Sequence, residues 1–170
     1  MLEQDVKRIA DSSEAIEKNT ALLVQLAKKL IPCESGDAEK ESGQGVERVV
    51  TIVEKDGKEC VRVHAGKYDF IVALHDLGTG MNWHKATKAA EEQGLRLFTK
   101  EEGMLMYIFK DEINDALVEL GGDPLSEDDY YWSSSDYNST GAWNLYFNSG
   151  GVNGNGKSGT GNIARGVAAF

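Results

Sequence analysis

The chain has only two cysteines, Cys33 and Cys60, and two prolines in 170 residues. The cysteines have no C-x-x-C spacing, so neither a disulfide framework nor a thiolate zinc site is indicated. The longest apolar run, Met104 to Phe109, is six residues. A membrane span needs about 20, so no insertion into a bilayer is expected. The opening Met1-Leu2-Glu3-Gln4-Asp5 has neither the basic nor the apolar region of a secretory signal. Basic residues are scarce relative to acidic ones, 18 against 28, for a net charge of −10. Such a balance repels phosphate backbones and anionic lipid, which argues against nucleic acid and membrane surfaces as partners.

Catalytic signatures are also missing. The three histidines, His64, His75 and His84, show no ligand spacing. No serine sits in G-x-S-x-G. The acidic turn Glu127-Asp128-Asp129 lacks the spacing of a calcium loop. Gly151 to Ser158 (GVNGNGKS) fits the phosphate-loop pattern G-x-x-x-x-G-K-[ST]. That chemistry needs a strand before the loop and a helix after it, and Gly159-Thr160-Gly161-Asn162 will not start a helix. The expectation is a protein that is not an enzyme, with no cofactor and no metal.

What the chain does have falls into three zones. In residues 1–31, Leu2, Val6, Ile9, Ser13, Ile16, Thr20, Leu23, Ala27 and Leu30 recur at alternating spacings of four and three. That is the seam of a coiled coil, so self-association through residues 2–30 is expected. Additional apolar residues in the last turns, Leu22, Val24 and Leu26, favour a trimer. The alternative is an amphipathic helix folded back on its own domain. Pro32 ends the helix, and residues 32–46 are small, polar and Gly-rich, the composition of a flexible linker.

The third zone, residues 47–170, reads as an α+β domain. Arg48 to Val53 and Cys60 to Val63 flank Asp56-Gly57, a hairpin signal. Tyr68 to Leu74 is a third strand candidate. Asn82 can cap a short helix ended by Gly94. Thr99-Lys100-Glu101-Glu102 is a capping box, expected to open one longer helix that carries Leu105, Ile108, Phe109, Ile113, Ala116, Leu117 and Leu120 and ends at Gly121-Gly122.

From Ser133 to Asn162, 21 of 30 residues are Ser, Gly, Asn or Thr. Composition alone would suggest a linker. Against this, Tyr131, Trp132, Trp143, Tyr146 and Phe147 interrupt the run. Trp143, Leu145 and Phe147 also alternate with Asn144, Tyr146 and Asn148, which predicts a strand with an apolar face inward and a polar face towards solvent. Ile163 to Phe170 is apolar enough to close a sheet. The polar run is thus expected to be held by core elements at both ends, where binding loops tend to sit.

These tail residues resemble a known family. The segment Tyr130-Tyr131-Trp132-Ser133-Ser134-Ser135-Asp136-Tyr137-Asn138-Ser139, then Ala142-Trp143-Asn144, Phe147-Asn148, the Gly/Asn run to Arg165 and the terminal Ala169-Phe170 resemble the variable proteins of diversity-generating retroelements. Met81-Asn82-Trp83 to Gly94, Leu97 to Glu102 and Gly121 to Leu125 are similar to that family's two-helix portion. The resemblance spans about residues 65–170. It implies a C-type-lectin-like domain, here preceded by the coiled coil, with a variable region at about 131–170.

It also implies how the surface is used. In the family, a reverse transcriptase randomises adenines in a copy of the gene's 3′ end, and asparagine codons are favoured targets. The corresponding ligand-binding positions here are Asn138, Thr140, Gly141, Asn144, Tyr146, Asn148, Ser149, Gly151, Asn153, Gly154, Asn155, Gly156, Ser158, Gly159, Gly161 and Asn162, each reachable from an asparagine codon. Trp132, Ala142, Trp143, Phe147 and Lys157 fall at positions that look fixed. The implied partner is a protein or another cell-surface ligand, with Tyr146 as the leading contact. The implied setting is a phage virion or the bacterial cytoplasm. Two alternatives remain open at this point: a carbohydrate lectin of the same fold, although Trp143-Asn144-Leu145 lacks the aspartate of the sugar-binding pattern, and a structural phage-tail component.

Overall fold

A computed structural model describes residues 48–170. The expected coiled-coil helix, the linker and Cys33 lie outside the described residues. The elements, in chain order, are β1 (Val50–Lys55), β2 (Lys58–Ala65), β3 (Tyr68–Met81), α1 (Trp83–Glu92), β4 (Arg96–Leu97), α2 (Lys100–Ile108), α3 (Lys110–Glu119), β5 (Tyr130–Asn138), β6 (Gly141–Tyr146), β7 (Gly151–Gly156) and β8 (Asn162–Ala169). The domain is α+β, mostly sheet with three helices.

Local chemistry accounts for the first elements. The β1–β2 hairpin closes at Lys55↔Lys58. Its two turn residues, Asp56 and Gly57, both have positive φ (53° and 75°), the backbone that a two-residue hairpin turn demands. The Asn82 side chain caps α1 by accepting from the Lys85 N–H. Thr99 and Glu102 form the expected capping box at the start of α2.

Two elements differ from expectation. β3 runs on past Leu74 to Met81, where its pairing with β8 shifts register three times. Gly78 and Gly80, at φ 152° and 61°, supply the irregular backbone there, and the loss of strict alternation hides the strand in the sequence. The long helix expected after Thr99 is two helices, broken at Phe109 (φ −106°, ψ 27°). Neither Gly nor Pro marks the break. Phe109 is drawn into the core, so tertiary packing bends a segment whose local propensity is continuous.

The sheet order is β1-β2-β3-β8-β5-β6-β7, with β4 paired to β8. All pairs are antiparallel except β5 with β8, which meet through Tyr131↔Ile163. The C-terminal strand therefore lies in the middle, joining the N-terminal hairpin to the polar strands of the tail. Tyr131 and Trp132, adjacent in β5, point to opposite faces. Tyr131 joins the main core with Phe70, Phe98, Met106, Ile113, Leu117, Leu145, Phe147 and Val167. Trp132 joins a smaller cluster with Ala86, Ala90, Leu97, Ala142 and Ala164. Fully burying one Phe-sized side chain contributes about 1.5–3 kcal/mol. The aromatics of the tail are thus the anchors that hold its Ser, Gly and Asn residues in a sheet.

Candidate functional site

The tail is ordered strand, not linker. Its serine run is tied down residue by residue. Ser133 Oγ donates to the Trp143 carbonyl at 2.8 Å, the Ser134 N–H donates to the Phe98 carbonyl at 2.8 Å, and Ser135 Oγ accepts from the Lys100 N–H at 2.9 Å. These bonds fasten β5 to β6 and to the start of α2.

A second fastening is electrostatic. Arg165 in β8 is fully buried. Its Nε donates to Asp76 Oδ1 at 2.7 Å. Nη1 donates to the carbonyls of Ala73 and Leu74, and Nη2 to those of Asp123 and Pro124. One planar guanidinium thus satisfies the irregular part of β3 and the loop after α3 together. The Tyr131 hydroxyl donates to Asp76 Oδ2 at 3.2 Å and accepts from the Ser126 N–H at 2.8 Å. Burial, with the Asp76 carboxylate beside it, pushes this phenol up to about 12.

On this frame the sixteen candidate positions divide by exposure. Asn138, Thr140, Asn148, Ser149, Asn153, Gly154, Asn155, Gly156, Ser158 and Gly161 are exposed; Tyr146, Gly151 and Gly159 are half-buried. They come together on β5, β6 and β7 and on the turns that join them to each other and to β8. Asn138 Oδ1 accepts from the Thr140 N–H at 2.9 Å, closing the β5–β6 turn.

Three positions do not fit the expected solvent face. Gly141, Asn144 and Asn162 are buried. Asn144 pairs with Trp132 across β6 and β5, on the face covered by the smaller cluster. The polar side of the Trp143–Asn148 alternation is therefore closed over at Asn144 and opens only towards Asn148. Asn144 Oδ1 and Asn162 Nδ2 have no hydrogen-bond partner. Tyr146 is not a projecting side chain either: it stacks on Tyr130 at 4.8 Å between ring centroids.

The phosphate-loop match is a strand. Gly151 to Gly156 is β7, in register with β6 from Tyr146 to Gly141, and no helix follows. Its lysine is a clamp. The Lys157 N–H donates to the Thr140 carbonyl at 2.9 Å, and its own carbonyl accepts from the Trp83 N–H at 3.1 Å. Its Nζ reaches Asp136 Oδ1 at 2.5 Å and lies 4.2 Å from the centre of the Trp83 ring. The β5–β6 turn is thereby tied to the start of α1.

The histidines stay apart. His75 pairs with Asp123, His84 meets Trp83 edge-on, and Glu127 of the acidic turn pairs with Lys110. Among the described residues no group of three or more His, Cys, Asp or Glu could hold a metal ion, and no helix is long and apolar enough to cross a membrane.

No protein-family model and no curated protein matches this chain. The function must be argued from the surface itself. That surface is close to neutral although the chain is acidic. The segment 131–170 has three charged side chains: Asp136 and Lys157, which pair with each other, and the buried Arg165. Two aromatics at its margin were not among the expected contacts. Tyr130 is 37% exposed and Tyr137 is 52% exposed. Their residue type within a Ser/Asn run was the available signal.

Proposed function

We propose that this chain is a diversified ligand-binding protein, whose variable surface lies on β5, β6, β7 and their turns and is altered by a diversity-generating retroelement. The observation that carries the reading is the division within the tail. Ten of the sixteen positions reachable from asparagine codons are exposed, while of the five that resemble fixed positions Trp132, Ala142 and Phe147 are buried and Trp143 and Lys157 half-buried. A surface meant to vary needs this separation, because exposed changes cost little stability and core changes cost several kcal/mol. Asn, Ser and Gly offer adaptable hydrogen bonding, and tyrosines offer rigid contact area, as in antibody binding loops.

The fold proposed with it is C-type-lectin-like. The element order supports this: strands, helices, a strand-rich polar tail, and a last strand returning to pair with β3. The proposed partner is a protein or another cell-surface molecule. Residues 2–30 are proposed to bring heads together as a trimer. Clustering can raise the apparent affinity of a glycine-rich surface by about 10²–10⁴ where geometry allows.

The test is the DNA flanking the gene. A near-copy of the codons for residues 131–170, differing mainly at adenines and lying beside a reverse transcriptase gene, is the expected result, and its mismatches would name the variable positions. Complete flanking sequence without such a copy sinks the proposal.

A further inference from the structure

Tyr137 is among the most exposed large hydrophobic side chains of the described residues. Its ring stands edge-on to Trp143, 4.8 Å between centroids and 80° between planes. The same ring lies against Gly154 of β7. A Cβ added at Gly154 would sit 2.5 to 2.8 Å from three of the ring's carbon atoms, closer than real side chains approach. Gly141, opposite Asn138 at the end of β5, has its missing Cβ 3.4 Å from the same ring.

The backbone does not demand glycine at 154. Gly154 is absent from the glycines with positive φ, and it pairs regularly with Trp143. Only the tyrosine occupies the space. Gly150 also meets a tyrosine ring, Tyr107 at 2.5 Å from its missing Cβ, but its φ of 71° makes the backbone favour glycine as well. A residue other than glycine fits the strand at 154, and the ring must then move. Tyr137 rests on Trp143 and over Gly154 but is 52% exposed, so its ring has solvent to turn into.

We propose that Tyr137 is a ligand-contacting residue of this surface and that residue 154 decides its pose. This deepens the binding-surface reading and rests on it. With glycine at 154 the ring lies down over β7, edge-on to Trp143, whose ring carries the Lys100 ammonium at 4.7 Å, on the sheet face that Trp143 and Gly154 share. With any side chain at 154 the ring is lifted from Trp143 and projects. Varying one small residue would thereby rearrange an aromatic contact as well as add its own side chain. The fitting partner is a protein surface, since an exposed tyrosine set against a tryptophan that carries a lysine ammonium suits a mixed apolar and hydrogen-bonding patch.

The pose is tested in the full chain by NMR, without a ligand. The expected spectrum of the natural sequence has the Gly154 Hα resonances shifted upfield by the Tyr137 ring, with nuclear Overhauser contacts from that ring to Gly154 and Trp143. Tyr137→Leu should abolish the upfield shift. Gly154→Ala should abolish the ring contacts to both residues while the remaining resonances stay in place; Gly154→Ser serves as a second variant if alanine disturbs folding. Retained Tyr137–Trp143 contacts in a folded Gly154→Ala or Gly154→Ser chain would overturn the proposal.

The ligand contact is tested by display. The other exposed candidate positions are randomised, residue 154 is kept as glycine, and binders are selected on lysozyme and on serum albumin. In the selected binders, Gly154→Ser should weaken binding about tenfold, and the same change should have little effect once Tyr137→Ala is present. Equal losses in both backgrounds would overturn the coupling. A failure to select any binder overturns the binding-surface reading and the ligand contact with it, while the NMR spectra separately decide the pose.

Discussion

Arg165 and Tyr131 show how single residues make a soft sequence hold a firm shape. The guanidinium is wholly buried and spends its donors on Asp76 and on four backbone carbonyls. Removing the guanidinium leaves the half-buried Asp76 carboxylate unpaired and four carbonyls without their donor, at a cost of about 3–5 kcal/mol. Arg165→Met should therefore lower stability by about that amount in urea unfolding, although methionine is apolar and fills much of the space. A loss below 1 kcal/mol would mean that Arg165 does not organise the frame. Tyr131 gives a pH prediction. Its folded value of about 12 lies above the ordinary phenol value of 10. The native state therefore binds this proton more tightly than the unfolded chain. The stabilisation is complete below pH 10 and is lost as pH rises from about 10 to about 12. Absorbance at 295 nm should show one of the six tyrosines titrating last, and Tyr131→Phe should remove that step.

At the scale of elements, the opening of α2 joins a cap to an ion pair. Thr99 Oγ1 accepts from the Glu102 N–H at 3.2 Å, and Glu102 Oε2 accepts from the Thr99 N–H at 2.8 Å. Arg96 grips both oxygens of Glu102, at 2.7 and 2.6 Å. Thr99→Ala should cost about 1 kcal/mol, read as a lower urea midpoint with an unchanged slope. Burial raises the Glu102 carboxyl, but the Arg96 hydrogen bonds and the Thr99 N–H together outweigh it and hold the group below its ordinary value. A lowered folded value means that the ionised form supports the fold. That support is full above the ordinary carboxyl value of 4.5 and is lost as pH falls through the lower folded value. Glu102→Gln should flatten this part of the acid stability curve; an unchanged curve would assign the acid loss to other carboxylates. The same corner accepts Ser134 and Ser135 from β5, so the cap of a helix also positions the polar strands.

For the whole molecule, charge is distributed unevenly. The chain carries −10, yet the proposed surface holds one exposed ion pair and no other accessible charged side chain from residues 131–170. Recognition there would rest on shape and hydrogen bonding more than on long-range steering. On the proposal that residues 2–30 form a three-stranded coil, the full chain should sediment at three times the monomer mass. Ile9→Asp together with Ile16→Asp should convert it to monomer without changing the thermal unfolding of the α+β domain. A monomeric natural sequence would remove the avidity part of the proposal.

Short-range chemistry made several parts of the domain legible in the sequence. Asp56-Gly57, Asn82 and the Thr99–Glu102 box act within four residues of themselves, so the hairpin, α1 and the start of α2 could be read directly. The aromatics at Tyr131, Trp132 and Phe147 likewise announced that the polar tail has a core. Tertiary structure alone decided the rest. Phe109 breaks a helix because the core takes its side chain, and β3 extends through bulges because β8 pairs with it. Asn144 and Asn162 are buried because of what lies over their faces, which a period of two cannot report. The space that Gly154 leaves is filled by nothing local. It is filled by a tyrosine ring seventeen residues earlier in the chain, brought there only when β5, β6 and β7 pair.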